Sequence, residues 1–262
     1  MQESMFSALF GAIGNEIRMN NIANNLANVN TTGYKRDQVS FQDTFLSFAH
    51  DVIMEPMANA RSKKLFAEPM HVARPRIALS QTDFSQGSLK YTGDPLDIAL
   101  AGDGFFKIRM RDGDYFTRNG KLNLNNEGVL VTAQGYPILT EGGAEITVPV
   151  GTKNLQIAED GNVYADGAGL GQIAVQTIED TRALEKLGSN MYRPRVGENI
   201  VETPVENPAV QQGYLEAANV EVVTEMVNMI ETQRQFEAYQ KIMQTSDSMD
   251  REAHSKVGKG HA

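Results

Sequence analysis

Residues Met19 to Lys35 read MNNIANNLANVNTTGYK. Six Asn fall within eleven residues there (Asn20, Asn21, Asn24, Asn25, Asn28 and Asn30), yet an apolar seam runs through them. Met5, Ala8, Ala12, Asn15, Met19, Ile22, Leu26 and Val29 recur alternately three and four residues apart, and only Asn15 among them is polar. That is a heptad seam, which predicts a helix. Asn disfavours helix because its amide competes for nearby backbone groups. A helix that nevertheless carries Asn on its outer faces presents amides there, either as a solvated face or as a surface that other subunits cover. Thr31-Thr32-Gly33 then ends the helix, with Gly33 suited to the left-handed C′ position. The first helix is thus expected over residues 1 to about 33.

Working outward, the far end of the chain shows the same period. Val222, Met226, Met229, Gln233, Phe236, Gln240 and Met243 alternate four and three apart, and Val220, Val223, Val227 and Ile230 form a second stripe beside them. This predicts a helix from about Asn219 to Asp250, followed by a disordered tail. Ala, Asn and Gln hold seam positions where Leu would pack better, and Met fills space adaptably. Two such helices are marginal alone and gain stability when neighbours bury their outer faces.

The centre is different. Asp112-Gly113, Asn119-Gly120, Glu127-Gly128, Gln134-Gly135 and Gly142-Gly143 punctuate the chain every seven or eight residues. Short β-rich runs lie between them: Tyr115–Thr117, Lys121–Leu124, Val129–Thr132 and Tyr136–Leu139. Even spacing of X-Gly turns marks an antiparallel meander. Leu96–Leu100 and Gly104–Ile108 precede it as core strands; Leu155–Ile157, Asn162–Tyr164 and Gln172–Val175 follow. Gly102, Asp103, Gly104 and Phe105 are read as shaping this region rather than as binding anything.

The expected fold class is α+β, with N- and C-terminal helices paired as a coiled-coil stalk and an all-β antiparallel domain inserted between them. The boundaries read as residues 1–33 and 213–262 for the discontinuous helical domain and 77–193 for the β domain. Extended connectors, 34–76 and 194–212, join the two. Phe41, Phe45 and Phe48 make the first connector apolar at its start, with room for a helical turn or a hairpin. Its later basic residues, Arg61, Lys63, Lys64, Arg74 and Arg76, read as a solvated face.

Composition narrows the function. The net charge of −9 argues against general nucleic-acid binding. No apolar run approaches the ~18 residues of a transmembrane helix. The opening lacks the basic n-region and cleavage motif of a Sec signal peptide. The absence of Cys excludes disulfides and thiol catalysis. His50, His71, His254 and His261 lack metal-ligand spacing. Asp160–Gly167 hints at a calcium loop but fails at Tyr164, Ala165 and Gly171. Gly167–Gly171 reads as a hairpin turn rather than a phosphate loop. Asp94, Asp97, Asp103, Asp112 and Asp114 lie near one another in sequence, and nothing beyond their number suggests a hydrolase. The expectation is no enzyme, no cofactor and no metal.

Three stretches carry a resemblance. Ala23–Asp37 (ANNLANVNTTGYKRD) resembles the signature of the flagellar basal-body rod and hook proteins. Leu96–Leu139 is similar to the first part of that family's β domain, and Gly213–Asp247 to its terminal helix. All three stand in the family's order and together span essentially the whole chain. The resemblance implies a structural subunit of the bacterial flagellar rod that polymerises helically through its terminal helices and transmits torque from motor to hook. It further implies copies of itself and neighbouring rod proteins as partners, with no nucleic acid and no small-molecule substrate. Delivery to the basal body would be unfolded, through the flagellar type III export apparatus, without a cleaved signal. Within the family, the opening residues lean toward the proximal rather than the distal rod or hook members. Asn24, Asn25, Leu26, Asn28, Thr32 and Gly33 match the N-terminal motif, and Val223, Met226, Val227, Met229, Ile230 and Gln233 the C-terminal one. These are the expected assembly-interface residues. The reading from another class is a β-domain binding module that its terminal helices merely dimerise.

Overall fold

The structure is a computed structural model that describes residues 2–47, 71–188, 190–195, 197 and 200–259. It is α+β, with a helix at each end and an antiparallel β region between them. The chain divides into two compact units. One comprises residues 1–23, 39–80 and 226–262; the other comprises 24–38 and 81–225.

Helix α1 spans Gln2–Ala27 and stops earlier than the seam suggests. The Asn28 N–H is shared between the Asn24 and Asn25 carbonyls at 3.2 Å, and turns follow through Asn30. Gly33 does take a left-handed conformation (φ 66°), six residues past the helix rather than at its C′ position. Buried residues follow the predicted stripe: Ala8, Ala12, Asn15 and Ile22, with Met19 half-buried between them.

Helix α2 spans Val222–Lys259, 38 residues or ~57 Å. Its start fits the macrodipole, with Glu225 in the first turn. Its end overturns the disordered-tail expectation as far as Lys259, and an Asp247–Arg251 pair at 2.8 Å spans the turn before the tail. The stripe that faces inward also differs from the expected one. Glu225, Thr232 and Ser246 are buried, and Met229, Phe236, Tyr239, Met243 and Asp250 are half-buried between them. Thr232 rather than Gln233, and Tyr239 rather than Gln240, occupy the alternate positions. Within this unit α1 and α2 meet at Gly11 and Tyr239, where a Cβ on Gly11 would lie 2.6 Å from the ring.

The same unit contains most of a two-stranded sheet, Asp37–Ser47 against His71–Thr82. The first connector is therefore strand-paired at both its ends. Phe48, Arg61, Lys63 and Lys64 lie outside the described residues.

In the second unit the main sheet has six antiparallel strands. In order they are Leu184–Leu187, Met191–Pro194, Gly113–Thr117, Phe105–Met110, Val175–Ile178 and Glu202–Pro204. The order is not sequential, so the expected simple meander gives way to long-range pairing. Alternation along these strands divides the apolar residues between two cores. Phe106, Ile108, Tyr115, Val175 and Met191 join the larger core with Ile98, Leu130, Ile138, Val163 and Val210. Phe105, Phe116, Ile178, Leu184 and Tyr192 form the smaller one, with Phe84 packed against it. Phe84 meets Phe105 and Tyr192 edge-on at 5.3 and 5.1 Å.

Three sequence readings need correction. Tyr136–Leu139 is not a strand: Pro137 has no N–H, and the segment straddles two neighbours, Ile138 donating to Leu130 and Leu139 to Lys107. Gln172–Val175 is broken between Ala168–Gln172 and Val175–Ile178. Asn119-Gly120 is not a left-handed turn like its companions. Gly120 is there because the Ile98 carbonyl oxygen would lie 1.7 Å from any Cβ. The second connector also joins the sheets, Ala209–Gln212 pairing with Ile98–Ala101, and the first residues of the expected 213–262 helical stretch are a strand, Tyr214–Glu216, paired with Leu89–Tyr91.

Candidate assembly surface and the polar node

Two features carry the chemistry. The first is a polar node in the second unit, where residues 31–37 lie against four distant segments. Lys35 and Glu216 are fully buried. The Lys35 ammonium donates to Glu216 Oε1 at 2.6 Å and to the Ser85 carbonyl at 2.7 Å, while the Gly87 N–H donates to the same carboxylate oxygen. Arg118, also buried, stands 3.5 Å from Glu216 Oε2 and 5.4 Å from the centre of the Phe105 ring. Burial pushes both cations' pKa values down, against the opposing pull of Glu216. It pushes the Tyr192 hydroxyl up.

Beside the ion pair, Asn25 accepts from the Tyr34 hydroxyl and the Asp37 N–H, and donates to the Asp37 carbonyl, all at 3.0 Å. Lys186 donates to the Lys35 carbonyl and Asp37 Oδ2 and lies 3.9 Å over the Tyr34 ring. Thr32 donates to Asn119 Oδ1, and its carbonyl accepts from Asn190. Asn219 Oδ1 accepts from the Arg36 N–H, and its amide donates to Asp83 and Ser85. Gly33 sits where a Cβ would meet Asn119 N at 2.6 Å.

The second feature is apolar. Met5, Phe6, Leu9 and Ile13 are exposed along α1, and Val222, Val223, Met226, Val227 and Ile230 along α2. Large hydrophobes at helical spacing on an exposed face are the mark of an interaction surface.

Of the twelve expected interface residues, three belong to the node and four to the apolar face. Asn25 and Gly33 are buried in the node, and Thr32 bonds into it. Asn28 is half-buried and donates to the Asn24 carbonyl; Leu26 and Met229 are half-buried. Asn24, Val223, Met226, Val227, Ile230 and Gln233 are exposed. Lys35, Arg118, Lys186, Glu216 and Asn219 escaped the sequence reading. The signal that could have found them is a lone charge or amide inside a short apolar or Gly-flanked run, as in TTGYK and GYLEAAN.

The clustered Asp residues are engaged locally: Asp112 accepts from the Tyr115 hydroxyl, and Asp114 pairs with Arg109 and Lys107. In the suspected calcium loop, Asp160 accepts from Asn162, and Asp166 from the Lys153 and Asn154 N–H groups. Among the described residues no group of three or more His, Asp or Glu could hold a metal ion, and no helix is long and apolar enough to cross a membrane. His50 and His261 lie outside the described residues.

A buried polar node, terminal helices with exposed apolar side chains and an inserted β region suit a structural protein. Comparison with known proteins says which kind. Residues 8–35 match the flagella basal body rod protein family, 99–165 the flagellar hook protein FlgE/F/G D1 domain, and 211–255 the flagellar basal body rod FlgEFG protein C-terminal family. The flagellar basal-body rod protein FlgF of Caulobacter vibrioides is 33% identical over 91% of each chain. FlgG of Buchnera aphidicola is 34% identical, and FlgG of Bacillus subtilis 31%, each over 95% of this chain and 97% of the relative. The chain belongs to the flagellar basal-body rod protein family. It is a structural subunit of the basal-body rod. Its identity to these relatives named FlgF and FlgG is comparable, 33% against 31% and 34%, and does not separate the proximal from the distal members.

Proposed function

We propose that the chain polymerises helically through its terminal helices, with copies of itself and neighbouring rod proteins, and so transmits torque from motor to hook. The two helices pair as a coiled coil along their heptad stripes, and their remaining apolar faces contact other subunits. The observation that carries this reading is the exposed stripe of Met5, Phe6, Leu9 and Ile13 on α1 with Met226, Val227 and Ile230 on α2. Covering the exposed half of one such side chain stabilises by roughly 1 kcal/mol, which gives a repeated lateral contact its strength. Gln233 is exposed on the same unit, and Asn24 and Val223 are exposed on the second unit; all three are assigned to contacts with other subunits. Asn25, Thr32 and Gly33 hold the node within the second unit. A contact that does not close on itself yields a rod. The subunit reaches the basal body unfolded, through the flagellar export apparatus; the weak helical seams favour this for the two helices, which hold little structure of their own to undo.

The test is Ile230→Asp, alone and with Ile13→Asp, introduced as the sole copy in a motile host. Both side chains are about half exposed, so the subunit is expected to fold normally by circular dichroism while basal bodies stop short at its position. Normal rods and motility would refute the surface. A closed, stable dimer of the wild-type chain at low concentration would favour the dimerised binding module instead.

A further inference from the structure

The polar node is unusual in what it lacks. Among the described residues, neither apolar core of the β region takes a side chain from residues 31–37. Those residues are attached by hydrogen bonds, ion pairs and the Tyr34–Lys186 contact. Their partners come from Asn25 and from four segments far along the chain, near residues 82–85, 118–119, 186–190 and 216–219. The bond from Lys35 to Glu216 spans 181 residues. The Gly33 N–H donates to the Glu216 carbonyl at 2.8 Å, and the Asn219 N–H to the Tyr34 carbonyl at 3.3 Å.

A buried ion pair fixes geometry more than it adds stability, because desolvation offsets the Coulomb attraction. Here the offset is large. Two cations share one carboxylate, and Arg118 Nε and Nη1 and Glu216 Oε2 make no hydrogen bond while the node is closed. Opening the node would give all three atoms water. Both apolar cores would stay intact, since they are built without these residues.

We infer that residues 31–37 form a detachable strap, latched by Lys35, Arg118 and Glu216, which opens and closes on an already folded β region. Because the carboxylate of the latch lies at Glu216, the strap stays open until the strand Tyr214–Glu216 is in place. It closes as the segment leading into α2 docks. The strap is then a unit of local unfolding in its own right.

Native-state hydrogen exchange on the full chain tests this. The Gly33 and Arg36 amides are expected to exchange at least about 100-fold faster than those of Ile98, Lys107 and Leu130, by an opening that is insensitive to low denaturant. Exchange of both groups through one common unfolding would overturn the latch. Glu216→Gln leaves two buried cations without an anion, and it should speed tryptic cleavage after Lys35 and Arg36 while the core amides keep their protection. Unchanged cleavage, or loss of core protection together with the strap, would also overturn it.

Discussion

Replacing Gly120 by Ala is the sharpest probe of how the β region closes. In the sequence Asn119-Gly120 looks like a turn, where a single methyl costs about 1 kcal/mol. The structure gives a different magnitude. The added Cβ would stand 1.7 Å from the Ile98 carbonyl oxygen and 2.7 Å from its carbon. Both are backbone atoms of a residue with no exposed surface, so neither can swing aside. The strands must part by more than 1 Å, roughly the shortfall from van der Waals contact. That breaks the 3.0 Å bond from the Ile98 N–H to the Gly120 carbonyl, worth about 1 kcal/mol. It also displaces a core side chain, at about 1–3 kcal/mol for overpacking. The expected loss is therefore about 2–4 kcal/mol, or a fall of roughly 5–15 °C in Tm for a region of this size. Gly135→Ala is the control: its φ is +87° but nothing lies within 4 Å of the new methyl, so only the local strain of about 1 kcal/mol applies. Thermal unfolding followed by circular dichroism reads both. Equal, small shifts for the two variants would refute the close-approach argument.

Other expectations follow from the node and the helices. Burial, then the nearby Asp37 carboxylate, pushes the Tyr34 hydroxyl from 10.0 up to about 12. The folded state thus holds this proton more tightly, and the stabilisation, present below pH 10, is lost as pH rises toward 12; an ultraviolet titration in which all tyrosines ionise near pH 10 would contradict this. Lys35→Met leaves Arg118 and Glu216 as a balanced pair, whereas Glu216→Gln leaves two cations facing each other. Strap amides should therefore gain more exchange in the second variant than in the first, and the reverse order would refute the charge count. Gly11→Leu drives a side chain into the Tyr239 ring and should lower helical signal without changing the exchange of β-region core amides. Asn25→Ala removes one acceptor and one donor from three bonds, and should destabilise the strap by about 1–3 kcal/mol; an unchanged exchange rate at Asp37 would argue otherwise.

Much of the architecture was legible because it rests on periods that a single sequence displays. Ala8, Ala12, Asn15, Met19 and Ile22 fall on one helical stripe whatever surrounds them, and Phe105/Phe106 and Tyr115/Phe116 sit on strands whose alternation sends neighbours to opposite cores. The stripe of α2 misled for a physical reason. Its most apolar face, Val222, Met226 and Ile230, is one that the chain itself leaves uncovered, while Glu225, Thr232 and Ser246 are the residues buried. Hydropathy marks surfaces that avoid water and does not say which molecule covers them. The node was hidden more deeply. Lys35, Arg118 and Glu216 have the composition of a solvated surface, and what makes them internal is a contact 181 residues long. Gly120 was visible as a glycine, but its neighbour across the fold was not.

The hydrogen bond between the Asn219 N–H and the Tyr34 carbonyl, 3.3 Å long, joins the two ends of a stretch that holds residues 39–80 of the first unit as well as most of the second. A segment whose two ends meet in this way behaves as an interchangeable cassette. A tight Gly-Ser bridge from Tyr34 to Asn219 could replace the intervening residues and leave the chain on either side with the same spacing to span. An unrelated domain with adjacent termini could be spliced in at the same two points, giving rod subunits that carry cargo of a chosen kind at regular intervals.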